Sequence, residues 1–212
     1  MLNIKKLTIP ALFFAGLIVA FSWKHLFAQD FGDFQEGDLI FHTSTSSQSQ
    51  AIQLVTNSRY SHCGIIYRIN GKLYVYEAVE TVRFTPLKEW IARGKNGHYV
   101  VKRLKDADKI LTADALNKLK QVGERFKGKP YDYVFAWSDE KIYCSELIYK
   151  MYYESLNIKL GELQTLSDFD LSHPVVKEKI QERYGNNIPY SETVISPEAV
   201  FQSPLLVTVI SK

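Results

Sequence analysis

The chain has 212 residues, 46% of them hydrophobic and 23% charged. That profile belongs to one globular core and excludes a disordered, collagen-like or coiled-coil protein. The formal net charge is +3, yet residues 1–28 hold three lysines and no acid, so the remainder balances 23 basic against 23 acidic side chains. A neutral domain lacks the electrostatic footprint of a nucleic-acid binder.

Residues 1–28 carry Lys5 and Lys6, a mostly apolar stretch over 7–23, and a small residue, Ala28. This is the layout of a secretory signal peptide cut after Ala28, with an uncleaved N-terminal membrane anchor as the alternative. Both export the domain formed by residues 29–212 to the periplasm or cell envelope. Any membrane contact is then through that segment alone.

Gly37-Asp38-Leu39-Ile40-Phe41 reads as a first strand, and the Ser/Thr/Gln run over 43–50 as a loop leading to a short helix near 51–55. Residues 60–69 and 72–79 are β-rich and flank Asn70-Gly71, the strongest short hairpin signal. A helix over 86–94 has Pro at its start and Gly at its end. Residues 99–104 form another strand. Thr112 caps a helix reaching Lys127, with Ala115, Leu119, Val122 and Phe126 on one face and Gly128 as its stop. Pro130-Tyr131-Asp132 opens a loop to Cys144, and a helix with Leu147, Ile148, Met151 and Tyr152 on its apolar side follows over 145–156. Further helices begin at Pro174 and Pro197, and a last strand covers 205–210. The sum is an α+β fold, a small and mainly antiparallel sheet packed with helices.

The hairpin register carries the chemistry. With Asn70-Gly71 as a two-residue turn, Ile69 faces Lys72, Gly64 faces Glu77 and His62 faces Val79. Alternation then puts His62, Gly64, Ile66, Val75, Glu77 and Val79 on one side of the sheet. Glu77 is the diagonal neighbour of His62, within side-chain reach, and Gly64 opposite it leaves the carboxylate room. Cys63 falls on the other side with Ile65, Tyr67, Tyr74 and Tyr76, as a buried apolar residue. A bridge from Cys63 to Cys144 is difficult if Cys144 rests against His62. A disulfide remains the bland alternative for two cysteines in an exported chain.

Cys144 stands at a helix start, where free backbone N–H groups and the positive dipole end favour a thiolate and can hold an oxyanion. With His62 as base and Glu77 as orienting acid, the expected chemistry is attack on a carbonyl and an acyl-enzyme. Taken singly, each residue has an ordinary structural role; together they favour a site. A zinc site from His42, His62, Cys63, Glu77 and Cys144 lacks both C-x-x-C and H-x-x-x-H spacing. No cofactor is expected.

These motifs resemble the YiiX/YebB-like group of circularly permuted NlpC-type papain-fold proteins, related to the lecithin retinol acyltransferase family. The resemblance rests on Gly37-Asp38-Leu39-Ile40-Phe41, Ser61-His62-Cys63-Gly64-Ile65, Tyr76-Glu77-Ala78, Pro130-Tyr131-Asp132 and Tyr143-Cys144-Ser145-Glu146-Leu147, in that order. It implies a thiol hydrolase or acyltransferase with Cys144 as nucleophile, His62 as base and Glu77 as third residue. Tyr131, Tyr143 or Ser145 would line the substrate site or serve the oxyanion. The order His then Cys is what permutation implies. Where such motifs usually place an aliphatic residue, this chain has Cys63. Substrates across the group run from cell-wall peptides to lipids. Export favours a murein-type peptide or a related amide. Lipid acyl transfer or thioester hydrolysis by the same residues, and a non-catalytic envelope binding module, are the alternatives.

Overall fold

The strands stack in the order β4-β3-β2-β1-β5-β8, every pairing antiparallel. They are β1 (Leu39–His42), β2 (His62–Ile69), β3 (Lys72–Ala78), β4 (Val82–Pro86), β5 (Val100–Leu104) and β8 (Leu206–Ser211). A two-stranded ribbon pairs β6 (Gln164–Thr165) with β7 (Thr193–Val194). The structure is a computed structural model that describes residues 33–46 and 48–212. Phe34–Lys212 form one compact unit. The expected export segment over 1–28 lies outside the described residues. Among those described, no helix is long and apolar enough to cross a membrane.

The helices are α1 (Ser49–Thr56), α2 (Leu87–Ala92), α3 (Ala107–Ile110), α4 (Ala113–Glu124), α5 (Cys144–Leu156), α6 (Pro174–Tyr184) and α7 (Pro197–Phe201). Each expected helix and strand is present, with ends moved by a few residues. The strand β4, the short helix α3 and the ribbon of β6 with β7 come in addition to them. Thr112 caps α4 by accepting from the Ala115 N–H at 3.3 Å, which satisfies one of the orphan donors of the first turn.

The hairpin has the expected register, Ile69 opposite Lys72 through to Ile65 opposite Tyr76. Asn70 and Gly71 both have positive φ, 49° and 75°, as the tight turn requires. The sheet therefore has two distinct faces. Leu39, Phe41, Cys63, Ile65, Tyr67 and Tyr76 join Leu147, Ile148, Met151 and Tyr152 of α5 in the main core. The opposite face carries His62 and Glu77, over which α2 lays Trp90.

The Gly37-Asp38 motif is an anchor for this arrangement. Asp38 is buried and binds Arg103 of β5 through both carboxylate oxygens, at 2.7 and 2.8 Å. Gly37 has φ +86°, and its carbonyl accepts from the Tyr152 hydroxyl of α5. The pair ties β1 to both its neighbouring strand and the helix that begins with Cys144.

Candidate active site

Three elements meet at Cys144. It is the first residue of α5, and His62 is the first residue of β2. The Glu146 side chain accepts from the N–H of Tyr143, one residue earlier, at 3.4 Å, which helps fix the turn that presents the cysteine. Helix α5 packs on β2 and β3, so the helix start comes over the strand end.

The Glu77 carboxylate is fully buried and surrounded by donors. One oxygen, Oε2, accepts from His62 Nε2 at 2.6 Å and from Trp90 Nε1 at 2.9 Å. Oε1 accepts from Thr85 Oγ1 at 2.5 Å and from the Arg93 guanidinium. Burial alone would raise this carboxyl, but the hydrogen bond and charge of His62, with Arg93 and Thr85, lower it to about 2. Gly64 lets β2 and β3 lie this close beside the site. A Cβ there would lie 2.4 Å from Val75 Cγ1 and 2.9 Å from the Tyr76 carbonyl oxygen.

His62 is held at Nε2 by Glu77, which leaves Nδ1 for the thiol of Cys144. Burial would depress the imidazole, but the charge and hydrogen bond of Cys144, joined by Glu77, push it up to about 9. The Cys144 thiol is lowered well below its ordinary value. A hydrogen bond from the Cys63 thiol acts first; it outweighs burial together with the charge and hydrogen bond of His62 and the Cys63 backbone N–H. Both shifts favour a thiolate–imidazolium pair.

Cys63 departs from the expected geometry. It lies on the helix-facing side of the sheet, as alternation requires, and is buried in the core. Its thiol nonetheless lies close enough to Cys144 for the two to couple, rather than being kept away from it. Both cysteines are free. Burial, followed by the Cys144 contact, pushes the Cys63 thiol well up, so it stays protonated.

The remaining expected residues occupy different positions. Tyr131 is buried and lines the space beside Cys144, its hydroxyl oxygen accepting from Gln48 Nε2 at 3.1 Å. The hydroxyls of Tyr143 and Ser145 meet the Ile195 backbone instead. Tyr143 accepts from its N–H at 3.0 Å and Ser145 donates to its carbonyl at 2.7 Å. Both clamp the start of α5 to the segment between β7 and α7.

Sequence reasoning missed Thr85, Trp90, Arg93, Gln48 and Arg183. An alternating Val82-Arg83-Phe84-Thr85 strand could have shown Thr85, which pairs with Val75 and so sits diagonally from Glu77. Trp90 and Arg93 lie three apart after that strand, but only tertiary packing aims them. His42, opposite His62 on the next strand, stacks on Trp90 with ring centroids 3.9 Å apart. Burial, then the charges of His62 and Arg93, lower it to about 2, so it stays neutral.

Two clefts open at this point. One is walled by apolar side chains of α1 and α6 and by Phe135, Leu166, Phe169 and Ile195, with Cys144 in its lining. The other, more polar, lies on the His62 side, between Ser44, Ser61, Glu80 and Glu182. Tyr131, Lys179 and Arg183 line both.

A family model described as "Permuted papain-like amidase enzyme, YaeF/YiiX, C92 family" matches residues 33–210. The "Uncharacterized protein YiiX" of Escherichia coli (strain K12) is 49% identical over 192 residues, which are 91% of this chain and 89% of that protein. A solved structure, "Crystal structure of metalloprotein yiiX from Escherichia coli O157:H7", superposes with a TM-score of 0.80 at 52% identity, covering 84% of this chain and 97% of that one.

Proposed function

Because the chain belongs to the permuted papain-like amidase family, whose model matches residues 33–210 and which makes it a cysteine-type hydrolase, we propose that it is an exported enzyme that cleaves acyl amides through Cys144, His62 and Glu77. The carrying observation is the pairing of an apolar cleft at Cys144 with a polar cleft at His62. An apolar acyl group lies in the first and the leaving amine in the second. A murein-type stem peptide would bring charged groups against apolar walls, where they find few partners. The apolar cleft also suits the lipid side of the expected alternatives, ester or thioester hydrolysis and acyl transfer by the same residues. Its walls come from α1, α6 and the Tyr131–Phe135 loop.

The Cys144 sulfur attacks the carbonyl carbon, and the C=O pair moves onto oxygen. That oxyanion is held by the free N–H groups at the start of α5 and by the Tyr131 hydroxyl. His62 Nδ1 gives its proton to the amine as the C–N bond breaks, leaving a thioester. His62 then takes a proton from water, whose oxygen attacks the thioester. The acid leaves and the thiolate–imidazolium pair is restored. Glu77 keeps the imidazole in place throughout.

The Escherichia coli structure is named as that of a metalloprotein. The residues here do not fit a metal at this site. His62 Nε2 and both Glu77 oxygens are bound to each other and to Thr85, Trp90 and Arg93. Among the described residues, no group of three or more His, Cys, Asp or Glu is arranged to hold one.

The test is hydrolysis of saturated acyl p-nitroanilides of increasing chain length, alongside tri- and tetrapeptide murein stems. Each added methylene should raise kcat/KM by roughly fourfold, from about 0.8 kcal/mol per buried CH₂, until the cleft is full. Cys144→Ala and His62→Ala should abolish turnover in folded protein. Cleavage of the stems with no dependence on acyl length would overturn the substrate assignment. Near wild-type activity in either variant would overturn the mechanism.

A further inference from the structure

We propose that Gln48 and Arg183 are positioning residues that aim the Tyr131 hydroxyl at the oxyanion, an assignment that rests on Cys144 being the nucleophile. The three side chains come from distant parts of the chain. Tyr131 belongs to the loop after α4, Gln48 is the residue before α1, and Arg183 lies in the last turn of α6.

The direction of each bond follows from the chemistry. Arg183 Nη2 donates to Gln48 Oε1 at 2.9 Å, and a guanidinium can only donate. The Gln48 amide is therefore oriented with its carbonyl toward Arg183 and its NH₂ toward Tyr131. Gln48 Nε2 then donates to the Tyr131 oxygen at 3.1 Å. A phenol oxygen that accepts in this way keeps its own proton free to donate elsewhere, and among the described residues that proton has no acceptor. Tyr131 lines both clefts, and Cys144 lines the apolar one beside it. Bonding the amide carbonyl to a cation also polarises its N–H, and chains of this kind strengthen along their length.

The far end is held as firmly. The Arg183 guanidinium lies over the Phe135 ring, 4.8 Å from its centroid, and Phe135 packs edge-on against Tyr143, the residue before the nucleophile, at 5.1 Å. Phe135 adopts φ +51°, a left-handed conformation that bulky residues rarely take and that surrounding contacts must impose. Burial, with the charge of Cys144 adding to it, holds the Tyr131 phenol well above its ordinary range, so it stays a neutral donor. Arg183 and Tyr131 line both clefts, so the relay stands where substrate must pass.

Octanal tests this without a leaving group. The Cys144 sulfur adds to its carbonyl carbon, the oxygen takes the negative charge or the proton, and the hemithioacetal reports oxyanion stabilisation directly. Cys144→Ala should bind no octanal. Tyr131→Phe should weaken binding by about a hundredfold, the scale for one lost oxyanion donor. Gln48→Leu and Arg183→Leu should each weaken it by roughly tenfold, whereas Arg183→Lys, which can still donate to Gln48, should keep most of the affinity. The deciding measurement is the double variant, in which Tyr131→Phe with Gln48→Leu should bind within about twofold of Tyr131→Phe alone. Additive losses, or wild-type binding in Gln48→Leu, overturn the relay while leaving the nucleophile intact. Equal binding by wild type and Cys144→Ala overturns the underlying reading instead, and the relay with it.

Discussion

Replacing Glu77 with glutamine keeps shape and removes charge, so its effect reads the electrostatics of the site directly. The carboxyl falls from an ordinary 4.5 to about 2, which corresponds to about 3 kcal/mol of preference for the charged form in the folded protein. Glutamine forfeits that amount and adds a steric conflict. Its NH₂ must face either His62 and Trp90 or Arg93 and Thr85, and neither Trp90 Nε1 nor Arg93 can accept. The sign is set by linkage. A lowered carboxyl stabilises fully above its unfolded value of 4.5, and that contribution is lost as pH falls through about 2. In thermal unfolding at pH 7, Glu77→Gln should melt roughly 6–12 °C below wild type. The gap should persist to pH 5 and narrow to about half by pH 3. Turnover should fall on the order of a hundredfold, less than for loss of the nucleophile, because orientation rather than the attacking atom is altered. Equal melting temperatures at pH 7, or a gap that does not change down to pH 3, would refute this account of the carboxylate.

Iodoacetamide at pH 7 should label Cys144 at least a hundredfold faster than Cys63, read by peptide mass; similar rates would deny the activated thiolate. The activity profile should decline as pH rises through about 9, because a raised imidazole holds its proton, and the stabilisation that comes with it, only below that value. A limb near 6.5 would mean that His62 is not paired with Cys144. Gly64→Ala places a methyl 2.4 Å from Val75 Cγ1 and 2.9 Å from a backbone oxygen. It should cost about 1–3 kcal/mol in denaturant unfolding, and an unchanged midpoint would show that the strands give way.

How much of the site the sequence shows depends on the range of the interactions involved. Asn70-Gly71 fixes the hairpin, the hairpin fixes which residues share a face, and that alone brings Glu77 beside His62, 2.6 Å apart. The helix start at Cys144 is equally local. What could not be read are groups placed by packing between remote segments. Trp90 and Arg93 reach Glu77 because α2 folds back across β3 and β4. Arg183 reaches Gln48 because α6 packs on α1. No periodicity in either helix marks those side chains as anything but an aromatic and two surface cations.

Cys63 shows where alternation stops being informative. Period-2 geometry assigns residues to the two sides of a sheet, but a group lying off the end of a strand can touch both. His62 opens β2 and Cys63 follows it, and α5, which begins with Cys144, packs on β2, so Cys144 couples to both the imidazole and the thiol. The Cys63 S–H is the foremost cause that lowers the Cys144 thiol. Cys63→Ala removes this donor and should move the pH midpoint of Cys144 alkylation upward. Cys63→Ser supplies an O–H in its place and should leave the midpoint close to wild type. If alanine and serine give the same midpoint as cysteine, the thiolate is set by His62 and the helix start alone, and Cys63 is only core.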